Sequence, residues 1–268
     1  MTDSRAVVPS SLHATAIIDP TASIPPSASV GPYSIIGPGV VVGERVTIDS
    51  HVLIERDTTV GDDSRICKGA VLGTDPQDLK YAGEPTTLEV GSRTTIREYA
   101  TLNRGTIDEG TTVVGDDCLI MAYAHVSHDS RVGNHVILAN SVNMGGHVVI
   151  EDWAIVGGVT AIHQFVRIGS HSFVGGGSRL PQDVAPYVMA AGSPCAAYGL
   201  NIVGLRRRGF KRETIRQIKE AYRLVFQSDL NVSQALEQLS AREDLMPEVE
   251  HMVSFIASSQ RGITTGLP

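Results

Sequence analysis

The segment Ala28-Ser29-Val30-Gly31-Pro32-Tyr33-Ser34-Ile35-Ile36-Gly37-Pro38-Gly39-Val40-Val41-Val42-Gly43 decides the fold. A branched aliphatic returns at Val30, Ile36 and Val42, each time followed by glycine, with a small or β-branched residue two positions before it. The same phase extends outward from Leu12 to Leu180. Of the 29 positions divisible by six in that span, 26 are Val, Ile, Leu or Met, and the exceptions are Asp78, Glu84 and Asp108. A helix needs apolar spacing near 3.6, and an ordinary strand alternates every two residues without regular breaks. A period of six with two inward positions means a short strand and a sharp turn, repeated. Three such units close a triangular coil of 18 residues, and coils stack about 4.8 Å apart as parallel strands. A β-sandwich needs turns every 8–12 residues or so and does not account for a fixed phase.

The phase persists across residues 73–87 and 105–111, which therefore read as loops ejected from a solenoid that continues in register; long loops on a rigid scaffold are frequently functional. After Pro186 the pattern stops. Helical spacing then appears over 211–228, 232–241 and 247–258, predicting a small helical domain that caps the last coil. The expected division is 1–190 for the β-helix and 191–268 for the helical part.

Composition narrows the class. Aromatic residues make up only 5% of the chain while hydrophobic residues make up 42%, so the core is aliphatic and finely repeated. Three cysteines with no metal-ligand spacing (Cys67, Cys118, Cys195) read as reduced thiols. Met1 to Ser11 is polar, with no leader or anchor pattern, and no run approaches a membrane span. The expectation is a soluble, cytoplasmic protein with no nucleic-acid partner and no membrane span. Charge is uneven: residues 1–189 carry a net −9 and residues 190–268 a net +2. Eight of the latter's basic residues lie between Arg206 and Arg223, a patch suited to an acidic partner.

Five of the nine histidines fall within two to three coils, and four of them, His125, His128, His147 and His163, gather near one turn. Residues 18 apart stack, so His128 lies under Gly146, Gly146 under Gln164, and Asp129 under His147. Such a cluster at one turn suits acid–base chemistry: a neutral imidazole accepts a proton, a carboxylate fixes its tautomer, and a glycine N–H stabilises an oxyanion. Adjacent strand residues point oppositely, so Asp129 orients His128 only if the turn bends the two together. Zinc sites of the γ-carbonic-anhydrase kind use two histidines four residues apart. The intervals from His125 to His171 are 3, 7, 12, 16 and 8, so no metal is expected.

Motifs that span nearly the whole chain carry a resemblance: Gln77-Asp78-Leu79-Lys80-Tyr81, Asn103-Arg104-Gly105-Thr106, His125-Val126-Ser127-His128-Asp129, Gly145-Gly146-His147, Ile162-His163-Gln164-Phe165 and Gly204-Leu205-Arg206-Arg207-Arg208-Gly209-Phe210. With the hexad array they resemble the acyl-[acyl-carrier-protein]–UDP-N-acetylglucosamine O-acyltransferases, hexapeptide-repeat enzymes of the first step of lipid A synthesis. The resemblance implies a left-handed β-helix and a homotrimer with active sites between subunits. It implies no cofactor beyond the phosphopantetheine that carries the acyl donor. It makes His128 the general base on the sugar 3-hydroxyl, Asp129 its partner and the Gly146 N–H the oxyanion donor. Asp78, Lys80, His125, His147, His163 and Gln164 would hold acyl chain, sugar and nucleotide. Asn201 and Arg207 or Arg208 would contact the nucleotide side or the phosphopantetheine, and the basic patch would meet acyl carrier protein. Gly176 matches a position that limits acyl length in the family. It leaves room for a longer chain, of roughly C14 type, each buried methylene adding about 0.8 kcal/mol.

Departures from the family pattern are Asn103, where some members have His, Gly192-Ser193-Pro194-Cys195 beside the acyl groove, and Val203 in place of a usual Glu. They leave open a paralogue with another acyl chain or acceptor sugar. The related N-acyltransferase carries an extra domain before its repeats, for which hexads starting near Leu12 leave no room. A coenzyme A-dependent acetyltransferase would not need the basic tail, and a non-enzymatic scaffold would not depend on His128.

Overall fold

A computed structural model describes residues 12–266 as a parallel β-helix followed by helices; the Met1–Ser11 segment lies outside the described residues. Its short strands form three sheets of nine, seven and ten strands, parallel throughout except for the last strand of the third, and these sheets are the faces of a triangular prism. Successive strands visit the faces in turn: Ile35–Ile36 lies in the nine-stranded sheet, Val41–Val42 in the seven-stranded and Thr47–Ile48 in the ten-stranded. Pairing is offset by 18 residues, as in Ile36↔Ile54 and Ile54↔Leu72. The offset grows at Leu72↔Leu102 and at Leu102↔Val126, so the chain segments 75–86 and 104–110 are extruded and the stack closes beneath them. The inward aliphatics form unbroken columns, with Ile36, Ile54, Leu72, Leu102 and Val126 all at 0–1% exposure. Truncating any one to Ala would cost about 2–5 kcal/mol.

From Tyr33 onward most corners have one residue in the left-handed region, and many are not glycine: Arg45, His51, Asp129, His147 and His171 have φ between 56° and 60°. That conformation costs a β-carbon-bearing residue roughly 1 kcal/mol. Here it aims the backbone N–H at the coil below, as in His51 N–H to the Pro32 carbonyl at 3.0 Å and His147 N–H to the His128 carbonyl at 3.1 Å. The repeated corner bond offsets the repeated strain.

The solenoid does not end at Pro186, where the hexad phase fails. Val184 bridges Ile168, and Val188–Ala191 continues the ten-stranded sheet with Val174 opposite Ala190. These offsets are 16 residues, so a two-residue deletion in the last corner shifts the phase and hides the strand from a six-residue reading. The chain then reverses: Ala196–Leu200 pairs antiparallel with Val188–Ala191 and closes the parallel stack. The division expected between residues 190 and 191 falls within this first strand.

Four helices follow: α1 (Ile202–Arg207), α2 (Arg212–Phe226), α3 (Val232–Ser240) and α4 (Pro247–Ala257). The last three match the helical spacing; α1 is too short to show a period. They share a core of Ile218, Tyr222, Leu239, Met252 and Phe255. Contacts with the coil anchor α4, among them His251 Nε2–H donating to Glu151 Oε2 at 2.8 Å and the Arg167 guanidinium 4.2 Å over the Phe255 ring.

Candidate functional site

Both extruded loops leave the prism at one edge, between the nine- and seven-stranded sheets. One coil further on, strand His125–Val126 reaches the same edge and turns through residues 127–130 into strand Arg131–Val132. Asp129 occupies the left-handed slot of that turn, with φ 58°. The turn brings its carboxylate back beside its neighbour, and His128 Nδ1–H donates to Asp129 Oδ2 at 2.8 Å. The condition that alternation imposed on this pair is therefore met by the corner.

Asp129 is 3% exposed. Burial pushes its carboxyl pKa up, but hydrogen bonds from His128 and from the Thr106 hydroxyl and amide, with the nearby His147, outweigh that and hold it below the ordinary carboxylate value. Thr106 belongs to the loop extruded one coil below. Its amide donates to Asp129 Oδ1 at 2.8 Å and its hydroxyl to Oδ2 at 2.7 Å. His128 keeps 9% of its surface exposed, and its Nε2 has no hydrogen-bond partner among the described residues. It is placed to receive a proton.

Gly146 covers the imidazole from above. A β-carbon there would lie 2.4 Å from His128 Cε1 and 2.6 Å from Nε2, so only glycine lets the backbone approach the ring this closely. The Gly146 N–H has no acceptor among the described residues. The next residue, His147, meets His128 edge-on at 5.4 Å and stacks on Phe165 at 4.6 Å. His147 Nε2 lies 3.6 Å from Asp129 Oδ2 and 3.8 Å from Asp108 Oδ2. A cavity of about 380 Å³ opens beside it, lined by Arg131, Phe165 and Gln260 among others. The donor atoms of His128, Asp129 and His147 come within 4.8 Å of one another, the closest approach to a metal-ligand set among the described residues. Thr106 already occupies both carboxylate oxygens of that set.

Burial, together with His128 beside it, holds the His125 pKa below the usual 6.5. It shares a 2.7 Å hydrogen bond with the Thr101 hydroxyl. His163 and Gln164 are exposed one coil above, with Gln164 N only 2.7 Å from where a Gly145 β-carbon would stand. In the loop at 75–86, Asp78 Oδ1 accepts from the Lys80 amide at 2.9 Å. Arg104, 1% exposed, ties that loop down through the Gly73 carbonyl, Asp75 and the Tyr81 hydroxyl at 3.1 Å. Arg104, Thr106, Asp108 and Phe165 had no assigned role in the sequence reading. All but Phe165 sit in or next to a loop that breaks the hexad phase, so stacking arithmetic could not place them.

The chain matches two families: the hexapeptide bacterial transferases over residues 111–146, and the second domain of UDP-N-acetylglucosamine O-acyltransferase over residues 183–264. The acyl-[acyl-carrier-protein]–UDP-N-acetylglucosamine O-acyltransferase of Burkholderia lata is 50% identical over 209 residues, 76% of this chain and 80% of that one. That of Verminephrobacter eiseniae is 47% identical over 211 residues, 77% and 80% of the two chains. The chain belongs to this acyltransferase family.

Solved members superpose closely. LpxA from Acinetobacter baumannii matches at TM-score 0.92 and 44% identity over 94% of this chain and 99% of that one. The UDP-N-acetylglucosamine acyltransferase of Francisella novicida matches at 0.92 and 37%, over 95% and 94%. A coil of the opposite hand would not superpose at that level, so the prism is a left-handed β-helix.

Within one chain, the residues that the family resemblance assigns are spread over three edges. His128, Asp129 and Gly146 hold the nine–seven edge. Gly176 lies at the ten–nine edge, between strands Phe173–Val174 and Arg179–Leu180. Asn201 and Arg208 lie at the seven–ten edge. Asn201 caps α1 through the Gly204 amide at 3.0 Å and donates to the His171 carbonyl at 2.9 Å. Arg208 lies 5.0 Å over the Trp153 ring, its Nη1 buried without a partner and its pKa lowered by burial. Arg207 is exposed on α1.

Proposed function

We propose that this chain transfers a 3-hydroxyacyl group from acyl carrier protein to the 3-hydroxyl of UDP-N-acetylglucosamine, the opening step of lipid A synthesis. The observation that carries this is the hydrogen-bonded His128–Asp129 pair roofed by the Gly146 amide. His128 Nε2 takes the hydroxyl proton as the sugar oxygen attacks the thioester carbon. The carbonyl electrons move onto oxygen, where the Gly146 N–H stabilises them. Collapse expels the pantetheine thiolate, which recovers the proton from the imidazolium and leaves an ester on the sugar. Asp129 holds the imidazole in the tautomer with its proton on Nδ1. His125, His147, His163, Gln164, Asp78 and Lys80 surround the reacting atoms with groups for sugar, acyl chain and nucleotide. The steps draw on this chain's own residues and on the phosphopantetheine that carries the donor.

The acyl chain would cross the outer face of the nine-stranded sheet, past Asn143 and Ala161, to the ten–nine edge. There Gly158 and Gly176 stack with no side chains between them, a β-carbon on Gly176 meeting the Gly158 carbonyl at 3.1 Å. One face is about 20 Å of extended chain, enough for a long acyl group. Asn201 and Arg208 lie off that path. Their contact with the same substrate is met most simply by a neighbouring copy, which supports a homotrimer with sites between subunits. The outward residues Leu119, Ile137, Ile155 and Phe173 give the ten-stranded face an apolar column for such packing.

Coils through about residue 190 would hold the chemistry, and residues 191–268 would dock the donor. The exposed Arg206, Arg207, Lys211, Arg212, Lys219 and Arg223 form the docking surface for the acidic carrier protein. Arg216 is committed to Glu213 and Glu220. Among the described residues no helix is long and apolar enough to cross a membrane. The three buried free thiols fit a reducing, cytoplasmic setting.

The test is to incubate the protein with UDP-N-acetylglucosamine and 3-hydroxyacyl carrier proteins of graded length and weigh the sugar product. A singly O-acylated UDP-sugar is expected. No acylated product with any donor would overturn the function.

A further inference from the structure

We infer that Thr106 is a positioning residue for the reaction: it locks the Asp129 carboxylate onto His128 rather than His147. The inference rests on the acyl-transfer function above, and its evidence is geometric. Asp129 Oδ2 faces two imidazoles, His128 Nδ1 at 2.8 Å and His147 Nε2 at 3.6 Å. A carboxylate held by one bond could rotate toward either ring. Thr106 removes that freedom with two donors, one for each oxygen.

The hydroxyl itself is oriented. The Asp108 amide donates to Thr106 Oγ1 at 3.3 Å, which leaves the hydroxyl proton directed at Asp129. Behind it, the Gly110 amide donates to the Thr106 carbonyl at 2.7 Å and folds the loop into a single turn. Thr106 is 6% exposed, so solvent does not substitute for it. On the other side, the Asp129 amide donates to the Thr112 hydroxyl at 2.8 Å. A loop extruded from one coil thus completes the acid–base pair of the next.

Thr106→Val keeps the shape and the amide donor but removes the hydroxyl. It is expected to lower kcat about 10- to 100-fold, as befits a lost hydrogen bond to a charged group, with KM for both substrates unchanged. With one donor fewer the Asp129 carboxylate is more basic and holds the His128 imidazolium more tightly, so the acid limb of kcat/KM moves to higher pH. Thr106→Ser is expected to restore both, and Thr106→Ala serves in place of Thr106→Val if that variant does not fold. A kcat within about threefold of the parent with an unmoved acid limb would overturn the assignment, as would a folded Thr106→Ser as impaired as Thr106→Val. Independently of activity, the His128 Nδ1–H proton resonance, assigned with His128→Asn, should persist in Thr106→Ser and shift or vanish in Thr106→Val. An unchanged resonance in Thr106→Val contradicts the role even if the parent transfers no acyl group, an outcome that would count against the proposed reaction alone.

Discussion

Two edges of the prism carry histidines in the same backbone slot and use them differently. At the nine–seven edge the left-handed positions include Asp129, His147 and Phe165; at the seven–ten edge they include His135, Trp153, His171 and Tyr187. Along the second edge the rings stack on one another: His135 on Trp153 at 3.9 Å, then His171 between Trp153 and Tyr187 at about 6 Å, closed by Phe210 edge-on at 4.9 Å. Burial, with Arg208 nearby, pushes the His171 pKa down to about 4. Along the first edge an acid, a glycine and an extruded loop surround the rings. The slot alone therefore does not assign a role. What reaches the slot from outside the coil does.

The strongest way to sharpen that contrast is Gly146→Ala. Its new β-carbon would push the His128 ring and displace the proposed oxyanion donor, so turnover should fall by roughly 10²–10³ while the fold persists. Turnover assays beside circular dichroism check both. At the other edge the expected effect is on stability. His171 is neutral when folded down to about pH 4, whereas an unfolded histidine takes a proton below about 6.5. Between those values the unfolded state binds more protons, so stability rises with pH across this window. His171→Phe should flatten that rise in urea midpoints measured from pH 4.5 to 7. His251, raised by Glu151, has the opposite sign: its contribution is complete below about 6.5 and is lost as pH climbs through its folded value. The smallest effect concerns the donor. Replacing Arg206, Arg207, Lys211 and Arg212 with Ala should raise KM for acyl carrier protein several-fold at low salt, with kcat kept and the salt dependence weakened. A KM that stays flat across salt would assign the patch to another partner.

The contrast also marks how much was legible beforehand. A period of six identifies the coil, the stacking of Gly146 over His128 and the two extruded loops, because a solenoid turns sequence distance into spatial distance. It loses the last coil, where two deleted residues shift the phase at Val184, and the reversal at Ala196–Leu200. It does not bring Asp129 to His128, since that depends on a left-handed turn that overrides strand alternation. Nor does it find Thr106, because a residue in an extruded loop has no stacking phase. The spread of His128, Gly176, Asn201 and Arg208 over three edges is a property of the closed prism and appears only once the chain is folded.

The most direct measurement compares turnover of His128→Ala with that of His135→Ala, one histidine from each edge, in the same transfer assay. The expected result is a fall on the order of 10² or more for His128→Ala with folding intact, and turnover near the parent's for His135→Ala. Parent-like turnover in His128→Ala would place the chemistry elsewhere.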